Sequence, residues 1–495
     1  MTATEQTVGR LGRASLIYGL GTLVSRAASI IMLPVYTRLL TPADYGILQM
    51  LDITLDVIAI LLSAGATAGV MRFYYKRERD DERRELLGSA FLMLLGLNAV
   101  GSLAMIVATP LILSELLGPT ATPTMVLLAA LNFTVGSLSV VPMLLLQMQE
   151  RATLFAMLNV ARLLVQLTLN IVLLVVFRMG PTGILISNLT ASVIIGTLTT
   201  VLFFREVGFR LSWSAIRDLR RFAVPYQITT AGAFILTFGN RFFIRRYVGL
   251  DEVGIYGLAF QFGFLLASLT SAPILRAWTP QRHEQARLPR DERDRLFNRD
   301  LLFFSSLTII GAAAIALFVE PVLGVMSAPA FHGASVVVPL IVLAFVLQAW
   351  SDTFMFNFDV SERPSCITIG TWLAVALSLG LYVTMIPRWG VAGAALSTVI
   401  AFATRLAIYW IWSRRVWPVT VEWSAHVRLL AAAAGAYLLY LLLGPSTLFA
   451  QFAVAFGAFT AFTLVSWFST PRSRRDAVTS AIAPRWLRLR ARFAP

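Results

Sequence analysis

Charged residues make up only 14% of this 495-residue chain, while 57% of it is hydrophobic. A soluble globular protein carries about 25% charged and about 45–50% apolar residues, so a soluble enzyme and a disordered scaffold are both excluded. The one cysteine, Cys366, allows no internal disulfide and leaves the redox compartment open. The three histidines, His283, His332 and His426, are scattered and match no metal-cluster spacing. No metal, no cofactor and no catalytic residue is expected. Lys76 is the only lysine, and no Gly-x-x-x-x-Gly-Lys loop occurs, so ATP-driven transport by this chain alone is not expected.

What the chain does have is long apolar runs. A hydrocarbon core about 30 Å thick takes about 20 apolar residues per helix. Polar breaks divide the sequence into about 14 spans, at 15–39, 45–70, 87–110, 122–147, 153–177, 181–204, 221–246, 253–275, 300–323, 334–358, 365–386, 389–413, 427–443 and 448–469. The first run follows Arg10 and Arg13. It is too long for a signal-peptide core and has no small-residue cleavage pattern, so it reads as a retained span. The fold class expected is an all-α integral membrane protein.

The net charge of +15 raises the question of nucleic acid, and the placement of the charges answers it. With the N-terminus inside, 32 of the 41 basic residues fall on inner segments, 6 on outer ones and 3 (Arg26, Arg162 and Arg405) within spans. Such a bias puts both termini in the cytoplasm. The arginines meet the anionic inner leaflet, and the basic run from Arg282 to Arg299 reads as a topology signal, so no nucleic-acid partner is implied.

An internal repeat appears at an offset of 208–212 residues. Arg38 to Ile47 matches Arg246 to Ile255, Asp81-Glu82-Arg83 matches Asp291-Glu292-Arg293, and Gln149-Glu150-Arg151 echoes Ser361-Glu362-Arg363. Arg178-Met179-Gly180-Pro181-Thr182-Gly183 with Ser187 matches Arg388-Trp389-Gly390-Val391-Ala392-Gly393 with Ser397. Spans 1–6 and 7–12 are two copies of one unit. Six spans is an even number, so the copies run parallel, an arrangement used by transporters whose site lies between two halves. The expected layout is a cytoplasmic N-terminus (1–14), an N-lobe (15–204), a linker (205–220), a C-lobe (221–413), spans 13 and 14 (427–469) and a basic cytoplasmic tail (470–495).

The stretch Gly19-Leu20-Gly21-Thr22-Leu23-Val24-Ser25-Arg26, followed by Leu33-Pro34-Val35-Tyr36-Thr37-Arg38-Leu39-Leu40-Thr41-Pro42-Ala43-Asp44-Tyr45-Gly46, resembles the polysaccharide-exporting flippases of the Wzx type. These share a superfamily with multidrug and toxin extrusion transporters and lipid II flippases. The resemblance implies two six-helix lobes that move an undecaprenyl-diphosphate-linked oligosaccharide, such as an O-antigen, exopolysaccharide or capsule repeat unit, from the cytoplasmic to the periplasmic leaflet. Its implied partners are that polyprenyl-linked glycan, the bilayer, and the glycan polymerase and assembly machinery. The lipid II branch shares Ser25-Arg26 but has Thr-Asp-Ala-Phe where this chain has Ala43-Asp44-Tyr45-Gly46, and it uses spans 13 and 14 as a lipid groove. In this chain those spans show nothing polar to mark one. Arginine usage and abundant alanine fit a bacterial high-GC genome, which makes the inner membrane the default location.

A charge at mid-bilayer costs about 2.5–3.5 kcal/mol, so each one needs a reason. Arg26 in span 1 and Asp56 in span 2 both fall near the midplane of adjacent helices, and Asp52 shares a face with Asp56. Either Arg26 and Asp56 hold two helices together, or Arg26 meets the diphosphate, which its planar fork suits, while Asp52 or Asp56 serves ion coupling or a switch. Near the outer end of span 7, Asn240, Arg241 and Arg245 are interfacial residues or an outer stop for the diphosphate. Arg162 with Gln166, and Gln348 with Asp352, are same-face pairs that line a cavity or bond helices together. Arg405 is expected to snorkel to the inner face. A cation-coupled drug antiporter would need a net negative cavity, whereas the in-span charges nearly balance. A membrane glycan polymerase or glycosyltransferase would need acid/base groups or a large outer loop, and neither is present.

Overall fold

The computed structural model describes residues 32–469, and these are helical with no strand. Eleven of the described helices are long and apolar enough to cross a membrane. Most of the first expected span lies outside the described residues. The seventh falls on Trp213–Phe238 and Asn240–Tyr247. The eleventh and twelfth form one 52-residue helix, Ser365–Val416, which leaves helical geometry at Gly390 (φ 55°, ψ −134°). At 1.5 Å per residue that helix would be ~78 Å long, more than two bilayer cores, so the break is obligatory.

By contact density the described chain divides into two compact units. The first comprises the described residues up to Leu258, with Met326–Ala334 and Ile367–Ala401. Its helices are α1 (Pro42–Leu62), α2 (Ala66–Lys76), α3 (Asp80–Val107), α4 (Pro123–Ser137), α5 (Val140–Met148), α6 (Ala152–Ile171), α7 (Gly180–Val207), α8 (Trp213–Phe238) and α9 (Asn240–Tyr247), with the start of α10 (Leu250–Leu266). One part of its core stacks Phe91 on Phe203 and sets both against Phe204. The second unit comprises Ala259–Val325, Ser335–Cys366 and the described residues from Phe402 on. It holds the rest of α10, then α11 (Ala272–Gln285), α12 (Arg290–Met326) up to Val325, and most of α13 (Ala334–Val360). It also holds both ends of α14 (Ser365–Val416), α15 (Trp423–Leu443) and α16 (Leu448–Ser469).

The repeated sequence landmarks are helix-end devices. Thr41 caps α1: its side chain accepts from Asp44 N at 3.1 Å, and the Asp44 carboxylate accepts from Thr41 N at 3.0 Å, with Pro42 in the first turn. This is a capping box with a proline where a missing N–H costs nothing. In the second copy Gly249, at φ 139°, precedes α10, whose first turn carries Asp251 and Glu252; these suit the positive end of the helix dipole.

The two copies also share backbone outliers. Glu150 (φ 57°) and Glu362 (φ 53°) both turn the chain in the left-handed region, as do Gly180 (φ 56°) and Gly390. At the first pair even the hydrogen bonds correspond. Arg151 N donates to Leu146 O and Glu150 N to Gln147 O, just as Arg363 N donates to Phe358 O and Glu362 N to Asp359 O. Each closes a helix C-terminus by satisfying carbonyls that would otherwise lack a partner.

The copies meet at a reciprocal contact. A Cβ on Gly46 would overlap the carbonyl oxygen of Leu250, and one on Gly254 would overlap that of Pro42. Gly46 corresponds to Gly254 and Pro42 to Leu250 in the repeat, so the same crossing is made twice, once from each side. We therefore expect Gly46→Ala or Gly254→Ala to destabilise the protein by about 1–3 kcal/mol through forced backbone separation. Gly96→Ala, on α3 with nothing within 4 Å, should be neutral or slightly stabilising. Unfolding of the three variants in detergent micelles measures the difference.

Candidate functional site

In the first unit, α6 carries Arg162, Gln166 and Asn170 on one face, successive turns ~6 Å apart. Each reaches a polar side chain of another segment. Arg162 Nη2 donates to Ser192 Oγ at 3.4 Å, and Ser192 in turn donates to Asn132 Oδ1 at 2.8 Å. Gln166 Nε2 donates to Asn188 Oδ1 at 2.6 Å, while Ser187 Oγ donates to the Gln166 carbonyl at 3.0 Å. Asn170 Nδ2 donates to Tyr36 Oη at 2.7 Å. Asn170 is 1% exposed, and its Oδ1 is buried without a hydrogen-bond partner. The expected Arg162–Gln166 pair is thus part of a longer polar ladder over α4, α6 and α7, which the i, i+4, i+8 spacing to Asn170 could have revealed.

Asp52 and Asp56 share a face of α1 and are both exposed; neither forms an ion pair with a described residue. Arg26, the expected partner of Asp56, lies outside the described residues, as does Ser25.

Asn240 and Arg241 sit at the start of α9 and are fully buried. Asn240 Nδ2 donates to Tyr256 Oη at 2.7 Å and to Thr398 Oγ1 at 3.0 Å. The Arg241 guanidinium lies over the Phe238 ring at 4.9 Å and the Tyr256 ring at 5.4 Å, and donates to Thr237 O at 3.2 Å. With 1% of Arg241 exposed, these side chains close an aromatic cage instead of lining an open cavity. Arg245, one turn on, is half-buried and donates through Nε to Leu116 O at 2.6 Å.

In the second unit Arg405 does not snorkel, which corrects the sequence expectation. It is 5% exposed and donates to Asp352 Oδ1 at 2.6 Å, to Ser351 Oγ, and to the Gln348 carbonyl at 3.3 Å. Gln348 and Asp352 therefore converge on one guanidinium. A charge so deep needs a counter-charge, hydrogen bonds or aromatic faces to offset its desolvation, and hydropathy alone could not reveal the Asp352 partner.

Two further clusters escaped the sequence reading. Arg282, read as part of a topology signal, is buried at the end of α11 among the rings of Trp278, Phe297 and Phe356, the last at 4.2 Å. It donates to Thr353 O at 2.5 Å and to Asn357 Oδ1 at 2.8 Å, and burial pulls it down to about 9. The i, i+4 spacing of Trp278 and Arg282 was the available sign. Spans 13 and 14, read as having nothing polar, do carry a polar tie: Tyr440 Oη and Gln451 Nε2 donate to the Glu320 carboxylate at 3.1 and 3.0 Å. Among the described residues no three His, Cys, Asp or Glu side chains converge as a metal ion would need.

Removing one partner of the Arg405–Asp352 pair strands a buried charge. We expect Arg405→Ala to cost about 3–5 kcal/mol and the Arg405→Ala/Asp352→Ala double variant less than the single. Denaturant unfolding in micelles, run as a double-mutant cycle, tests this.

A family model described as polysaccharide biosynthesis protein matches residues 11–282, more than half of the chain. None of the curated proteins matches it by sequence. Among solved structures, the lipid II flippase MurJ in an inward closed conformation superposes with a TM-score of 0.72 at 11% identity, over 91% of this chain and 99% of that one. An inward-facing multidrug resistance MATE family transporter of the MOP superfamily gives 0.63 at 14% identity, over 79% and 97%. A MOP superfamily transporter from Pyrococcus furiosus, described by the reverse polarity of its binding pocket, gives 0.53 at 14% identity, over 82% and 95%. At these identities the likeness is one of fold. The chain belongs to the polysaccharide biosynthesis protein family and has the multi-pass helical fold shared by MurJ and the MATE transporters.

Proposed function

We propose that this protein is a flippase that carries a polyprenyl-diphosphate-linked oligosaccharide from the cytoplasmic to the periplasmic leaflet of a bacterial inner membrane. The observation that carries this reading is the polysaccharide biosynthesis family match on a MurJ-like fold. Supporting it are the parallel repeat, the positive-inside charge bias of the sequence, and the scarcity of titratable groups that catalysis would need.

In this reading the lobes 15–204 and 221–413 alternate in access to the two sides. Arg26, in the expected first span, and Arg245 take the diphosphate, since a guanidinium fork matches phosphate oxygens and stays charged. Arg241, enclosed by rings, fixes the helix that presents Arg245. The exposed Asp52 and Asp56 are the candidates for an ion that drives the cycle.

The test is to deplete the protein in its host and quantify polyprenyl-diphosphate-linked oligosaccharide on the cytoplasmic leaflet, with Arg26→Ala as the complementing variant. We expect the intermediate to accumulate on depletion, and Arg26→Ala to clear it at no more than a tenth of the wild-type rate at equal membrane levels. Absence of accumulation, in a host with no second flippase, sinks the proposal and brings forward the drug antiporter.

A further inference from the structure

The polar ladder of the first unit carries one formal charge, Arg162, and no carboxylate. A guanidinium at this depth is costly, and the Arg405 site illustrates how the chain meets that cost with an aspartate at 2.6 Å. Arg162 has no such counter-ion: its one hydrogen bond to a described residue is the 3.4 Å contact to Ser192. Most of its five N–H donors are left for something else. Two turns along the same face, the buried Asn170 Oδ1 waits for a donor. Between them Gln166 and Asn188 use one amide edge on each other and keep the other. Arg162, Gln166 and Asn188 are all half-buried, so these three are reachable, while Asn170 is buried at 1% exposure.

A carboxamide offers a donor edge and an acceptor edge, which matches a sugar hydroxyl that both donates and accepts. A guanidinium with free fork positions matches a carboxylate. A metal or organic cation finds no carboxylate in this ladder and one positive charge against it.

We infer that the face formed by Arg162, Gln166, Asn170 and Asn188 is a saccharide subsite for a sugar that bears a carboxylate. The acid group sits on Arg162, and ring hydroxyls sit on the carboxamides. This rests on the flippase reading and deepens it, because it names the class of glycan carried: an acidic repeat unit.

The test uses the full chain in lipid nanodiscs with two probes of equal length, an oligogalacturonate and a neutral malto-oligosaccharide. We expect the wild type to bind the acidic probe at least tenfold tighter than the neutral one. Arg162→Gln should abolish that preference, Arg162→Lys should retain part of it, and Asn188→Ala should weaken both probes. The lysine and asparagine variants keep the test intact if Arg162→Gln does not fold, and a ladder that only bonds helices would leave probe selectivity unmoved in every folded variant. Equal binding of the two probes, binding of neither, or a preference that survives Arg162→Gln overturns the inference. If the acidic preference is missing while Arg26-dependent clearing of the lipid intermediate persists, the subsite falls and the flippase stands. If that clearing is also missing, both fall.

Discussion

Hydrocarbon offers no hydrogen bonds, so every backbone N–H and C=O that crosses it must be satisfied within its own segment. The rest of this architecture follows from that constraint. The described chain is helical throughout, and its departures from helix fall where the chain turns or where one helix must become two. Glu150 and Glu362 reverse direction with the freed carbonyls recaptured by the next residues. Gly390 breaks a stretch too long for one crossing. The same constraint makes glycine the natural contact residue where α1 and α10 cross, because backbone can approach backbone only where no Cβ intervenes.

Polar side chains obey a parallel rule, and the two units follow it differently. The second unit closes its charges internally, with Arg405 on Asp352, Arg282 within rings and carbonyls, and Glu320 held by a tyrosine and a glutamine. In the first unit the α6 ladder is built almost entirely of neutral amides and hydroxyls with a single guanidinium. A bundle that needed only cohesion would be served by the first kind of arrangement.

Much of the fold was legible in the sequence, because apolar runs, basic loops and a 208–212 residue offset are one-dimensional signals. The site was less legible for a consistent reason. Arg405 reads as an end-of-helix arginine until Asp352, 53 positions earlier, is brought beside it by packing of α13 on α14. Arg282 sits in a run of arginines that reads as a topology signal, and its burial depends on aromatic neighbours from α12 and α13 that no local pattern points to. A neutral amide in a span, such as Asn170, raises no alarm on a hydropathy scale, and only the packed structure reveals its unmatched carbonyl oxygen.

The glycine crossing also bears on descent. Gly46 meets Leu250 as Gly254 meets Pro42, which is the self-complementary pattern of a two-fold homodimer. For a six-span ancestor, one substitution to glycine would have created both halves of that interface at once. Joined in one chain, the two halves can mutate separately, yet each still constrains the other. Drift can erode most of the likeness between the two copies, but at this point it has to leave them twins.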